Sequence, residues 1–140
     1  MSVTTAPPPV PSRLRTRALA VAGAVAASLA VWAVGEPLLG HDLVVAAPGQ
    51  EPMDLGASQI LVFSLLPALL GWALLAVLER VTSRAGTVWA VLALLVLALS
   101  FAPLLSVEAT GGSKAVLALT HVAVGAVLVP AFLRTTGARR

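Results

Sequence analysis

His121 is the one ionisable side chain within a long uncharged run, Ala115 to Leu133, and such positions inside apolar helices are scarce and functional by default. Ser28, Ser64 and Ser100 share its setting in three other apolar runs. Counted from the end of its own run, Ser64 lies six residues from Ser58, Ser100 seven from Val107, His121 seven from Lys114 and Ser28 nine from Pro37. At 1.5 Å per helical residue, all four fall roughly 9–14 Å below one common boundary. An uncharged imidazole has one donor and one acceptor nitrogen, and a serine hydroxyl plays either part. Such a layer can tie helices together, orient a ligand, or hand on a proton. The structural reading comes first, because serines in apolar helices often bond their own backbone and a buried histidine can bridge helices for about 1 kcal/mol. Ala118, His121 and Gly125 share one helical face, and Gly125 lets a neighbouring helix approach the imidazole.

A second group, Glu36, His41 and Asp42, surrounds Pro37 where the first apolar run ends. It either caps an outer mouth or is a solvated helix end. Metal or haem ligation has little to build on, since His41 is the only other histidine and no Cys exists. No phosphate loop, nucleophile–base pair, paired carboxylates or zinc spacing is present, so the expectation is a protein without enzymatic activity, cofactor or metal.

These residues must be positioned by helices in lipid. Of 140 residues, 59% are hydrophobic and 11% charged, with mean hydropathy +0.98, against about 25% charged in ordinary soluble domains. A soluble chain this short cannot hide so much apolar surface. Four uncharged runs are long enough for the about 20 helical residues that a bilayer core needs, and they lack the period-two alternation of a barrel strand. The expected fold is all-α: a four-span transmembrane helical bundle of up-down topology, with spans at about 18–38, 57–78, 86–107 and 115–133. Residues 13–140 form its single domain, after a Pro-rich tail over 1–12 that cannot bury a core and is expected to be disordered. Pro67, Pro103 and Pro130 mark kinks. Trp32, Trp72 and Trp89 lie towards span ends, where tryptophans anchor at the interface. Ala20, Gly23, Ala24 and Ala27 permit close packing of the first span. Between spans one and two, Leu43-Val44-Val45 and Met53-Asp54-Leu55 flank the turn signal Pro48-Gly49, which gives a small β-hairpin or an irregular loop.

Orientation follows from the cations. Eight of the nine flank one side of the spans (Arg13, Arg15, Arg17, Arg80, Arg84, Arg134, Arg139, Arg140), and Lys114 alone flanks the other. The positive-inside rule puts both termini in the cytoplasm and the hairpin segment outside, in a bacterial cytoplasmic (inner) membrane. Clustering at span ends also argues against nucleic acid as the reason for a pI near 11.2. The first run, ending in Ala33-Val34-Gly35, also fits a cleaved signal peptide, which would leave three spans, but it is long for one.

Four stretches carry a resemblance: Ser12-Arg13-Leu14-Arg15; Asp42-Leu43-Val44-Val45; Gly71-Trp72-Ala73-Leu74-Leu75 with Leu78-Glu79-Arg80; and Thr120-His121-Val122 up to Val129-Pro130. Together they resemble a family of small four-helix actinobacterial membrane proteins of uncharacterised function, over nearly the whole chain from Ser12. The resemblance implies an uncleaved first span and a family role for His121, and it brings no activity. Three functional classes follow. The first is a structural or accessory subunit, in contact with a membrane-protein partner or a homo-oligomer. The second is a binder or carrier of a small apolar molecule, lipid or quinone, at the His121 layer. The third is a proton-linked sensor or transporter.

Overall fold

The computed structural model describes residues 12–137; the Pro-rich tail lies outside them apart from Ser12. Ser12 caps α1 (Arg13–Ala33), its Oγ accepting from the Arg15 amide at 3.2 Å. Arg13 and Arg15 thus lie in the first turn of the helix, and Arg17 follows them in its second. A π-helical turn, Val34–Leu38, closes the span around Pro37. Gly40, at φ 72°, turns the chain into a short ribbon in which β1 (Val44–Val45) pairs antiparallel with β2 (Met53–Asp54). Gly49, at φ 77°, makes the reversal, a backbone region that favours glycine.

Helix α2 (Ala57–Val81) runs unbroken through Pro67, and α5 (Gly111–Thr136) through Pro130. The third run does break: α3 (Ala85–Ser100) stops, and a short α4 (Ala102–Ser106) restarts after Phe101 with Pro103 in its first turn. Proline there lacks the amide that would continue the ladder, yet suits a helix start. Thr110 caps α5, accepting from the Ser113 amide at 3.1 Å, so the helix begins at Gly111, ahead of the expected 115. Uncharged runs mark the hydrocarbon crossing and miss helix that extends past it. Four helical segments, Arg13–Leu38, Ala57–Val81, Ala85–Ser106 and Gly111–Thr136, are long and apolar enough to cross a membrane.

Packing is uneven. Helix α5 touches all the others, and its most extensive contact is with α1, where Ala20, Val21 and Ala24 are buried; small side chains bring those backbones close. Gly35 is where this approach is tightest, since a Cβ there would meet Val116 Cγ2 at 2.5 Å. Gly35→Ala is therefore expected to cost about 1–3 kcal/mol, read by denaturant unfolding in detergent, with Val116→Ala restoring most of it. By contrast, α3 buries only Ala85 and Trp89. The interface rule fails for Trp89: it is 3% exposed, its indole N–H donates to Gly71 O at 2.8 Å, and its ring lies 5.3 Å from Phe132. Trp89 wedges the Arg-rich end of α3 against α2 and α5. At the ribbon end Leu43, Leu55, Ile60, Val116 and Leu117 form a second core, and Ala46 and Glu108 exchange backbone hydrogen bonds at 3.0 and 2.8 Å, joining the ribbon to the loop after α4.

Candidate functional site

Between the Trp89 wedge and the ribbon, α2, α3 and α5 border a groove of about 660 Å³. Its walls are almost wholly apolar. Trp89, Gly71 and Leu128 close one end; Val45, Leu55 and Val107 close the other. Its edges on α2 and α3, Phe63, Leu70 and Val96, are strongly exposed, so the opening faces sideways, between helices. On the opposite side Leu97 of α3 lies over Gly125 of α5, where a Cβ would come within 2.8 Å of its Cδ2.

All four residues of the expected polar layer, Ser28, Ser64, Ser100 and His121, line this groove, joined by Thr120. They come from α1, α2, α3 and α5, so the depth count placed them at one level. They do not bond one another. Ser28 donates to Val25 O at 3.0 Å, Ser64 to Ile60 O at 2.8 Å, Ser100 to Leu97 O at 2.5 Å and Thr120 to Leu117 O at 2.7 Å. His121 Nδ1 lies 2.6 Å from Leu117 O. A carbonyl only accepts, so Nδ1 carries the proton in that contact. The cross-helix ties expected of this layer are absent among the described residues. The backbone of each helix has taken the hydroxyl protons, and the lone pairs left are acceptors: the hydroxyl oxygens and, in the neutral imidazole, His121 Nε2. The Phe101 ring, 5.6 Å from the imidazole, flanks it.

Among the described residues no hydrogen bond or ion pair joins the side chains of Glu36, His41 and Asp42 to one another. Glu36 accepts from the Trp32 indole N–H at 2.9 Å, which holds it on its own helix. His41 is half-buried against Gly112, where any side chain would overlap the imidazole ring. The Asp42 side chain is exposed, and its backbone carbonyl accepts from Ser113 Oγ at 2.6 Å. No cluster of three His, Cys, Asp or Glu side chains occurs among the described residues.

The strongest polar tie lies where residue counting read only topology. Arg17 is 4% exposed and grips Glu79 in a two-pronged ion pair, 2.6 and 3.1 Å, while its Nε donates to Thr135 Oγ1 at 2.8 Å. One guanidinium thereby joins α1, α2 and α5. Two signals were present: Glu79 is the lone carboxylate on the Arg-rich side, and Arg17 shares a helical stripe with Ala20, Val21, Ala24 and Ser28.

Fold and site together define a membrane-type four-helix protein with a laterally open apolar groove and an acceptor-only polar patch. The chain belongs to a family of unknown function (DUF6069), whose pattern matches residues 8–138. Neither the curated proteins nor the solved structures contain a match to it.

Proposed function

We propose that this protein is a non-catalytic, multi-pass membrane binder of a small elongated apolar molecule, of the lipid or quinol type, held in the groove between α2, α3 and α5. One observation carries this reading. Five polar side chains that line one groove have spent their donors on their own helices, leaving acceptors in an otherwise apolar cleft. The matching ligand has a hydrocarbon body and one hydroxyl, which donates to His121 Nε2. About 660 Å³ falls within the usual range of small-molecule sites. Along α3, Trp89 to Ser100 spans roughly 16 Å, room for a linear tail.

In the orientation we favour, the Arg-rich end and both termini face the cytoplasm of a bacterial inner membrane, because eight of nine cations lie there. Reporters fused at Gln50 and Thr82 should then report opposite faces. Binding itself is tested in a Trp32→Phe/Trp72→Phe background. A long-chain alcohol brominated along its tail should quench Trp89 saturably; quenching that grows linearly with alcohol content, as bulk lipid contact gives, contradicts the site.

An accessory role in a larger assembly is the second reading, favoured by α3. The segment Ala85–Ser106, made of α3 and α4, is 6% buried over its most apolar stretch, against 22–28% in the other three. A partner helix or a second copy seated on α3 would close the groove. Cross-linking from Leu95→Cys and Leu99→Cys in native membranes separates the readings, since a lone binder leaves both uncoupled.

A further inference from the structure

A second cleft, about 950 Å³, opens at the Arg-rich end on a different face of α3. Arg13 of α1, Arg80 of α2 and Arg84 of the α2–α3 turn stand around it. Its one carboxylate, Glu79, is engaged by Arg17, and among the described residues Arg13, Arg80 and Arg84 have no ion-pair partner. Three guanidiniums therefore face the cleft uncompensated. Thr82 adds a hydroxyl whose oxygen already accepts from the Arg84 amide at 3.2 Å, so its proton is left to donate.

The apolar part of the wall decides what the charge is for. Below the arginines the lining continues along Ala90, Val91 and Leu94 of α3, with Leu133 of α5 opposite. Val91 and Leu94 are each 54% exposed. From Arg84 to Leu94 the helix rises roughly 15 Å, which is half of the about 30 Å hydrocarbon core and so the depth of one leaflet. A soluble phosphate has no use for such a track; a phospholipid needs both parts. We propose that this cleft binds an anionic phospholipid, its phosphate between Arg13, Arg80 and Arg84 and one acyl chain along Ala90, Val91 and Leu94. The site is separate from the His121 groove, and either can be occupied without the other.

Native mass spectrometry of protein exchanged into mixed phosphatidylglycerol and phosphatidylcholine nanodiscs tests it. The wild type should retain phosphatidylglycerol selectively. Arg80→Gln/Arg84→Gln should lower that selectivity by roughly thirtyfold, given about 1 kcal/mol per surface cation. The charge-matched control Arg15→Gln/Arg134→Gln, away from the cleft, should keep it. Equal losses in both pairs would mean diffuse attraction and overturn the site. Displacement of the lipid by soluble glycerol phosphate as effectively as by phosphatidylglycerol would overturn the lipid in favour of a phosphate site. A measurement on the wild type alone stands whether or not the variants fold: phosphatidylglycerol with a diazirine in its tail should label Val91 or Leu94, and labelling spread evenly around the four helices refutes the proposal.

Discussion

Glu79→Gln is expected to lower unfolding stability by about 3 kcal/mol, the largest effect of any single polar substitution in this chain. The glutamine keeps the shape of the side chain but removes the charge, so a nearly fully buried Arg17 keeps Thr135 and one neutral amide acceptor while its second prong meets an NH2 donor. Breaking one side of a buried ion pair costs roughly 3–5 kcal/mol; because Glu79 keeps 22% exposure, water offsets part of the loss and the lower end applies. Arg17→Lys should recover little, since an ammonium cannot reproduce the two-pronged contact and the Nε bond together. Arg17→Met/Glu79→Leu should fall within about 1 kcal/mol of wild type, because removing both charges also removes both desolvation penalties. Denaturant titration in detergent micelles gives the full cycle. A single-mutant loss below about 1 kcal/mol would show the pair to be solvated.

His121→Leu should weaken binding of a long-chain alcohol in the groove about tenfold, the equivalent of one lost hydrogen bond. The methyl ether of the same alcohol has no proton to donate, so its affinity should be low for wild type and unchanged in the variant. His121→Gln keeps an acceptor at this depth and should retain part of the alcohol's advantage. The cycle of side chain against headgroup isolates the hydrogen bond from the hydrophobic contacts that both ligands share. A histidine acting only as a helix tie would lower stability in the Leu variant and leave the alcohol–ether difference intact.

That four polar residues from four helices would meet was legible because a helix converts residue count into distance. Ser28, Ser64, Ser100 and His121 were expected at one level, and they line one groove. Their partners were not legible. A serine in a helix has a carbonyl three or four residues back at constant distance, and whether it turns there or across depends on how far the next helix stands, which the sequence does not encode locally. Hydropathy found the four spans, but it treated the arginines as topology markers, so the inward stripe that carries Arg17 went unread. Trp89 was misplaced for a related reason: interface enrichment of tryptophan is an average over faces, and the face of Trp89 meets Gly71 and Phe132. The groove ends on the same residue, because Trp89 closes it at the Arg-rich end.

Ser100→Phe, which would fill the groove from α3 without touching the Arg17–Glu79 pair, gives the most direct test of a ligand-binding groove. Protein purified from native membranes in mild detergent should release, in native mass spectrometry, a small apolar hydroxyl-bearing molecule from the wild type and none from the variant. The same apolar molecules released from both, in equal amounts, would contradict the account.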